Sequence, residues 1–595
     1  MFYMFKHQMD IVLFLDNKSK LQVEHGKILE ITNEKSLKLN FYEDCIDKDP
    51  SVCTPKTKGN ENYLRYFSQS EKQECNNYEQ VAQSMNDILQ FCVNIGDSSW
   101  NGGSQVIFQY WPLNKFNRTD NPFITTSSGD QSVLESYFFN SNGYYIYCNY
   151  QSTLHYINES VLLFVDINGP RPGQMCFTAK VVAPYRKVRN FLQYQVCKYK
   201  NAQVAHKRAI KDILSMPSSI PDSYVIKYPI WSTWARYKVD VNTFSVRKFA
   251  KEIIDHGFPR GTFEIDDKWE TCYGSAEFNT SRFENIKELT SLWTYPFLNL
   301  DCPCHEVAKT KGYLVKSTSN TTNVTWWNGD ASYVDFTNPE AVVWWSNGLS
   351  NLLAKSGIDE GESSWSPQLP IFHDNDLTYY PDNIVNAYLK TISSFGNGIE
   401  YRAIRRSQEF GRLLRMNDRL PTLITALLQL NMIGYPFVLP DMIGGNGYFN
   451  SPPSKEMYIR WMQANVFMPV VQFSYTPWDF DQQTVDVCRK LMNLRANYTD
   501  TIIELMRGSV AKEYLLGENI LVAPVIVEGA TSRDVYLPFG LWRDENHPTS
   551  HLITGRKWLR NYPVKLDVLP WFTRVTLIFF ILNVKIKIKS NFFFE

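Results

Sequence analysis

The chain of 595 residues has no excess of charge of either sign, because 61 Lys and Arg residues balance 61 Asp and Glu residues. Such a chain has no overall field that would attract nucleic acid, so no nucleic-acid partner is expected. It also has no Gly-rich phosphate loop, no G-x-S-x-G motif and no second Cys or His cluster beside Cys302, Cys304 and His305. We therefore expect neither a metal nor another cofactor.

Long hydrophobic runs are missing as well. The apolar runs 11–15 and 575–582 are far shorter than the roughly 20 residues that span a bilayer, and the first is too short for a signal peptide. We therefore expect no membrane span in this chain, and we expect the native protein to begin upstream of Met1. A hydrophobic content of 44% with 21% charged residues excludes a wholly disordered chain and indicates a globular protein.

Glycosylation sequons and cysteines indicate the compartment. Seven of the 11 cysteines lie in the first third of the chain, as expected for an extracellular β domain held by disulfides. Seven Asn-x-Ser/Thr sequons occur, at Asn17, Asn117, Asn158, Asn279, Asn320, Asn323 and Asn497. Sequons are used only in the secretory pathway. Both features predict a disulfide-bonded glycoprotein that is secreted or resides in the endoplasmic reticulum.

Two kinds of sequence pattern divide the chain. Short alternating runs such as SLKLNFY and GYYIYCNY predict a β-sandwich over residues 36–220. Apolar runs then alternate with helical stretches, which predicts an α/β fold, a (β/α)8 TIM barrel, over residues 221–510. Strand-like runs return in residues 511–576, which predicts a C-terminal β domain. Residues 1–35 form an unassigned N-terminal segment, and residues 577–595 form a tail.

Within the barrel, residues 228–238, 261–267, 292–299 and 433–441 are predicted strands, and Asn338 is predicted to cap a helix. Substrates of such barrels bind at the carboxyl ends of the strands. The polar and aromatic side chains in and after the strand-like runs are therefore candidates for binding: Trp234, Glu264, Asp266, Trp293, Trp326, Trp327, Arg406 and Asp441. Carboxylates and tryptophans in this arrangement indicate glycoside cleavage, with an oligosaccharide or glycan as the partner.

Several long blocks carry a resemblance to a known family. YPIWSTWARYK, FEIDDKWETCYG, TWWNGDASYVDFTNP, IGYPFVLPDMIGGNGY and ENILVAPVI resemble, in this order, the myogenesis-regulating glycosidase group of glycoside hydrolase family 31. The resemblance implies a retaining α-glycosidase in which one Asp attacks the anomeric carbon and a second Asp protonates the leaving oxygen. It also implies that Trp326 and Trp327 shape the sugar pocket and that Arg406 binds substrate.

The two catalytic carboxylates fall where the chain departs from the family pattern. The nucleophile of the family lies in G-[IV]-D-x-[FL]-K-F-D-A-G-E, whereas this chain reads Gly357-Ile358-Asp359-Glu360-Gly361-Glu362, about five residues shorter. Asp359 matches either the first Asp of that motif or the nucleophile. The fourth barrel strand needs about five extended residues, so either the segment SGIDE is a shortened strand or the barrel is locally open.

The acid/base motif R-x-x-D-R-D-S-V-W-G-x-D is matched by Arg415-Met416-Asn417-Asp418-Arg419-Leu420, without the W-G-x-D stretch. Asp418 matches either the earlier Asp of the motif or the proton donor. Three interpretations follow. The chain is an active α-galactosidase or α-glucosidase, a carbohydrate-binding pseudo-glycosidase, or the product of a truncated gene model of an active enzyme. The oligomeric state does not follow from the sequence.

Overall fold

The computed structural model describes most of the chain. The described residues are 75–82, 88–123, 131–148, 162–180, 191–284, 291–317, 320–326, 328–356, 383–402, 405–416, 419–448, 451–511 and 519–575, with the backbone of five earlier strands and of strand 362–363. Two compact units are present, Met1–Tyr514 and Leu515–Glu595.

The N-terminal strands form two large antiparallel sheets and a separate hairpin of β2 and β3. The strands are β1 Phe14–Leu15, β2 Lys20–Glu24, β3 Lys27–Thr32, β4 Leu37–Asn40, β5 Asn62–Phe67, β6 Cys75–Val81, β7 Leu89–Asn94, β8 Trp100–Ser104, β9 Leu134–Asn140, β10 Tyr144–Cys148, β11 Leu162–Ile167, β12 Gln174–Lys180 and β13 Phe191–Lys198. The larger sheet has the order β1-β4-β5-β6-β13-β10-β9-β8 and the smaller sheet has the order β11-β12-β7. Alternate side chains of the two sheets form a common aromatic core, which includes Tyr78, Phe91, Phe138 and Tyr194.

Each of two disulfides joins neighbouring, hydrogen-bonded strands within one sheet of the sandwich. Cys75 pairs with Cys197 across β6 and β13, and Cys92 pairs with Cys176 across β7 and β12. The predicted cross-linking of the β domain is therefore confirmed. The predicted sandwich range also contains helix α1, Ala202–Ala209, which packs on the outer face of the larger sheet.

Eight parallel strands follow in the order of a barrel: β14 Ile230–Ser232, β15 Thr262–Ile265, β16 Ser291–Thr294, β20 Glu362–Ser363, β21 Glu400–Tyr401, β22 Leu413–Arg415, β23 Val438–Leu439 and β24 Gln472–Phe473. Ladders join β20-β16-β15-β14-β24 and β21-β22-β23. A parallel bridge between Met442 and Gln472 links the end of β23 to β24. Strand β20 lies beside β21, and no ladder joins these two strands in the part of the chain that the structure describes.

The fourth barrel strand lies just after the SGIDE segment, for which the sequence predicts either a shortened strand or a locally open barrel. Strand β20 is only two residues long and begins at Glu362. Trp293 and Thr294 of β16 pair with its two residues. Ser356 ends helix α6, Pro339–Ser356, and residues 357–361 lie outside the described part of the chain. The predicted fold class, a barrel with β domains on both sides in sequence, is confirmed.

Helices and a small sheet surround these strands. The helices are α2 Ser223–Lys227, α3 Trp234–Tyr237, α4 Thr243–Asp255, α5 Pro303–Lys311, α6 Pro339–Ser356, α7 Asn383–Ser393, α8 Leu423–Met432, α9 Lys455–Asn465 and α10 Gln482–Ala511. The small antiparallel sheet contains β17 Phe297–Asn299, β18 Asn323–Trp326 and β19 Gly329–Tyr333. A capping box of Asn242 and Ser245 begins α4, and the Asn338 side chain accepts from the Glu340 amide at the start of α6, as predicted.

The prediction of a single strand over residues 228–238 is wrong. The strand ends at Ser232, whose hydroxyl accepts a hydrogen bond from the Trp234 amide at 3.3 Å. A Ser side chain that binds the backbone two residues later favours a turn over an extended chain. Helix α3 therefore begins at Trp234, and the side chains of Trp234 and Lys238 belong to the loop that follows the strand.

The second unit is a small β domain. Its strands are β25 Ile520–Val522, β26 Ser532–Leu537, β27 Leu541–Asp544, β28 Ile553–Thr554, β29 Lys557–Pro563 and β30 Trp571–Arg574. They form sheets of the order β25-β30-β27-β28 and β26-β29. Val535, Leu537, Trp542 and Phe572 lie in its core.

Candidate sugar-binding site

A buried polar network occupies the carboxyl ends of three neighbouring barrel strands. Arg415, the last residue of β22, donates to Asp441 Oδ1 from Nε at 3.1 Å and from Nη2 at 2.7 Å. Its Nη1 lies 3.1 Å from Glu400 Oε1 on β21. Asn446 Nδ2 donates to Asp441 Oδ2 at 3.0 Å, and Arg402 Nη2 lies 3.6 Å from the same oxygen. The five side chains form one connected group.

Asp441 is the centre of this group. It is fully buried, and burial alone would raise its pKa, but the charges of Arg415 and Arg402 hold the pKa below its ordinary value. Its backbone has a φ of 59°, which residues other than glycine rarely adopt. Such strain is often found at functional sites. The carboxylate is therefore ionised and is fixed in one orientation.

A second acidic side chain lies inside the barrel. Trp231 and Phe263, on β14 and β15, pack against Phe249 of α4, so these positions face outwards. Side chains alternate along a strand, so Glu264 faces inwards. Its Oε2 accepts a hydrogen bond from Gln472 Nε2 at 2.8 Å. Because β14 lies between β15 and β24, this bond crosses the interior beneath the carboxyl ends.

Asp266 and Trp234 belong to the loops directly above. The amide of Asp266 donates to Thr233 Oγ1 at 3.0 Å, which joins the loop after β15 to the loop after β14. Lys238 interacts electrostatically with Asp266, and its ammonium group lies 4.4 Å from the centre of the Trp234 ring. Lys238 Nζ also donates to the backbone carbonyl of Asn446. Lys238 thus connects Asp266 and Trp234 to the network around Asp441.

The tryptophans of the third strand and the small sheet form an aromatic group. Trp293 and Trp326 stack with ring centres 6.3 Å apart and an interplanar angle of 4°. Trp326 also stacks on Phe297 at 4.9 Å, and its Nε1 donates to Asn299 Oδ1 at 2.8 Å. Both indoles are buried. The structure therefore brings these two predicted residues together, in a packed wall beside the barrel.

A cavity of about 220 Å³ lies next to this aromatic group, because Tyr295 lines it and contacts both Trp293 and Trp326. Its lining includes Glu270, Tyr295, Cys304 and Trp345, and none of the carboxylates predicted to bind sugar. Burial raises the pKa of Glu270 to about 8, and Tyr295 donates a hydrogen bond to this carboxyl group. The cavity lacks the converging acids of the barrel end, so we place the candidate site around Asp266 and Asp441.

Four predicted residues remain: three lie outside the described part of the chain, and the fourth lies away from the candidate site. Asp359, Asp418 and Trp327 lie outside the described residues, so their roles stay predictions. Arg406 lies against the sandwich, where its amide donates to Glu135 Oε1 at 2.6 Å and its guanidinium lies 5.5 Å from the Tyr147 ring. The arginines that contact Asp441 are Arg402 and Arg415, and the substrate-binding role of Arg406 stays a prediction.

The sequence alone predicts no role for Glu400, Arg415, Asn446 or Lys238. A signal for Arg415 was present, because an arginine in the apolar run Leu413-Leu414-Arg415-Met416 must find a carboxylate if the strand is buried. In the parts of the chain that the structure covers, no group of three or more His, Cys, Asp or Glu could hold a metal ion. None of the helices described here has the length and apolar character of a membrane span.

A ring of parallel strands with acids at the carboxyl ends is the architecture of many glycoside hydrolases. The model of the glycosyl hydrolases family 31 TIM-barrel domain matches residues 227–388 and 416–505, and the model of the glycosyl hydrolase family 31 C-terminal domain matches residues 494–579. The chain belongs to glycoside hydrolase family 31.

Similar proteins agree with this assignment. The chain is 29% identical over 559 residues to the myogenesis-regulating glycosidase of Mus musculus, covering 80% of this chain and 75% of that protein. It is 25% identical to the SITS-binding protein of Tetronarce californica, covering 84% of this chain and 78% of that protein. A family 31 sulfoquinovosidase from E. rectale superposes with a TM-score of 0.70 at 15% identity, covering 95% of this chain and 92% of that one. The last comparison shows the fold alone.

Proposed function

We propose that the protein is a retaining α-glycosidase that hydrolyses α-galactosides or α-glucosides in glycans. The observation that supports this most is the buried Asp441, kept ionised by two arginines at the carboxyl ends of a family 31 barrel. Asp266 lies at the same end. An ionised carboxylate accepts hydrogen bonds from sugar hydroxyl groups, so Asp266 would bind the sugar. The fully buried Asp441 would hold the partly exposed Arg402 beside it.

The chemistry is assigned to Asp359 and Asp418. The Asp359 carboxylate would attack the anomeric carbon while Asp418 gives its proton to the departing glycosidic oxygen, which leaves a sugar ester on Asp359. Water would then attack the same carbon, Asp418 would take a proton from that water, and the Asp359 carboxylate would leave. In the chain, Asp418 follows β22, after the carboxyl end at which such barrels bind substrate. Asp359 precedes β20 by three residues, so its assignment depends on the match to the family motif.

The test is hydrolysis of nitrophenyl α-galactoside and nitrophenyl α-glucoside. We expect Asp359→Asn to lower kcat by about 10³-fold or more, because an amide cannot act as the nucleophile. Asp500→Asn is the matched control, since Asp500 is exposed on α10 and its side chain is 95% accessible. The sugar released first should keep the α configuration, as followed by NMR. Unchanged turnover in the Asp359 variant contradicts the assignment.

One observation favours a second candidate, a sugar-binding protein without turnover. Strand β20 has only two residues, and in the described part of the chain no ladder connects it to β21. The proposed nucleophile, Asp359, precedes this strand by three residues in the chain, whereas substrates of such barrels bind after the carboxyl ends of the strands. Binding of methyl α-galactoside or methyl α-glucoside without hydrolysis of either nitrophenyl sugar would favour this second function.

We further propose that the protein folds in the secretory pathway. In the part of the chain that the structure describes, four sequon asparagines are exposed and three disulfides are formed. These asparagines are Asn117, Asn320, Asn323 and Asn497. Enzymatic removal of N-glycans should increase the electrophoretic mobility of the native protein, and the fourfold Asn→Gln variant should lose most of this shift. Native protein whose mobility is unaffected by deglycosylation would contradict the proposal.

A further inference from the structure

Lys238 occupies an unusual position above the barrel. It follows helix α3, and its backbone φ of 49° is rare for a residue with a side chain. The ammonium group lies 4.4 Å from the centre of the Trp234 ring and 5.5 Å from that of Tyr448. It donates to the backbone carbonyl of Asn446, whose side chain binds Asp441. The strained backbone thus holds a cation between two aromatic rings, next to the candidate site.

The surroundings leave this cation incompletely satisfied. Burial lowers the pKa of Lys238 to about 8, and the charge of Asp266 opposes that shift. An ammonium group has three N–H donors. Among the described residues, the Asn446 carbonyl is its only hydrogen-bond acceptor. The aromatic rings attract the charge without accepting a conventional hydrogen bond, so two donors are available to a ligand.

We propose that Lys238 and Asp266 form a donor–acceptor pair that binds two neighbouring hydroxyl groups of the sugar, which makes Lys238 a residue that determines specificity. This inference rests on the proposed function only in requiring that a sugar binds. An ammonium group can only donate, and a carboxylate can only accept. One hydroxyl oxygen would therefore accept from Lys238, while the neighbouring hydroxyl would donate to Asp266.

The pair sets a requirement on the ligand. A sugar that lacks either hydroxyl leaves a partly buried charge without its partner, which weakens binding strongly. A sugar in which one of these hydroxyl groups has the opposite configuration places that oxygen away from Lys238 and Asp266. Its binding is weakened for the same reason. Lys238 and Asp266 would thus distinguish epimers and deoxy sugars from the preferred sugar.

The experiment measures binding rather than turnover. Methyl α-galactopyranoside, methyl α-glucopyranoside and their monodeoxy analogues are titrated into the full chain by calorimetry. For the parent sugar that binds more tightly, we expect Lys238→Met to weaken affinity by about 10- to 100-fold, the usual range for a hydrogen bond to a charged group. Lys248→Met, an exposed lysine of α4, should leave affinity unchanged.

The deoxy analogues separate recognition from a structural role. The analogue that lacks the hydroxyl group bound by Lys238 should bind the wild-type protein weakly. The Lys238→Met variant should bind this analogue and the parent sugar with equal affinity. The analogue that lacks the neighbouring hydroxyl group, bound by Asp266, should also bind the wild-type protein weakly. The Asp266→Asn variant should bind that analogue and the parent sugar with equal affinity. Lys238→Arg, which keeps the charge, serves as a second variant if the methionine variant does not fold.

Three outcomes overturn the inference. They are no sugar binding by the wild-type protein, unchanged affinity in folded Lys238→Met, and an equal loss of affinity for the parent sugar and every analogue, which would indicate a purely structural lysine. Absent turnover with the expected binding pattern contradicts the glycosidase proposal and leaves this inference supported.

Discussion

Replacing Arg415 with methionine should lower the free energy of unfolding by about 3–5 kcal/mol, the usual cost of removing one partner of a buried ion pair. The guanidinium contacts both Glu400 and Asp441, and all three side chains are nearly inaccessible to solvent. Without it, two carboxylates remain buried with less compensating charge. Arg402 is 3.6 Å from Asp441 and replaces only part of the lost interaction.

Urea unfolding followed by tryptophan fluorescence checks this expectation. Lys251→Met is the matched control, because Lys251 and Asp255 form an exposed pair on α4 that is worth less than about 1 kcal/mol. Adding Asp441→Asn to Arg415→Met should restore part of the stability, since one of the two stranded charges disappears. A loss as small as that of the control would show that the network around Asp441 is not desolvated.

The barrel was predictable because its signals are local. Apolar runs at 261–267 and 433–441 each contain a strand, and Asn338 with Pro339 places the start of α6 correctly. Asp441 ends the apolar run 433–441, and a carboxylate at such a buried position must be hydrogen-bonded. The structure supplies the partners, Arg415 and Asn446.

The partners themselves were not predictable, because they depend on strands that are distant in sequence. Arg415 and Asp441 are 26 residues apart, and only the parallel pairing of β22 and β23 brings them together. The position of Lys238 was not predictable for another reason. An apolar run that looks extended turns at Ser232 through a side-chain hydrogen bond to the backbone, which moves Lys238 from a strand into a loop.

The arginines that follow β21 show what a sequence pattern leaves open. Three arginines, Arg402, Arg405 and Arg406, follow β21 within five residues. Arg402 reaches Asp441, whereas Arg405 donates to Ser136 Oγ of the sandwich at 3.0 Å. Which of three nearby side chains faces the barrel depends on the path of the loop, and that path is fixed by contacts with β9.

Replacing Arg495 with methionine should lower the free energy of unfolding by about 4 kcal/mol, because its loss leaves several buried carbonyl groups unpaired at about 1–3 kcal/mol each. The guanidinium, 1% exposed, donates to the carbonyl oxygens of Val466, Met468, Pro469 and Ile226 at 2.6–3.1 Å. These acceptors precede β24 and β14, the last and first barrel strands, so Arg495 of α10 holds the two ends of the barrel sequence together.

The same unfolding experiment with three variants tests this role of Arg495. Arg495→Lys should lose about half as much stability as Arg495→Met, because an ammonium group has three donors and lacks the planar fork that reaches four carbonyls. Arg507→Met, an exposed arginine on the same helix, should change the free energy by less than about 0.5 kcal/mol. Equal effects of the methionine substitutions at positions 495 and 507 would contradict the proposed role, because the four carbonyls would then need no partner from α10.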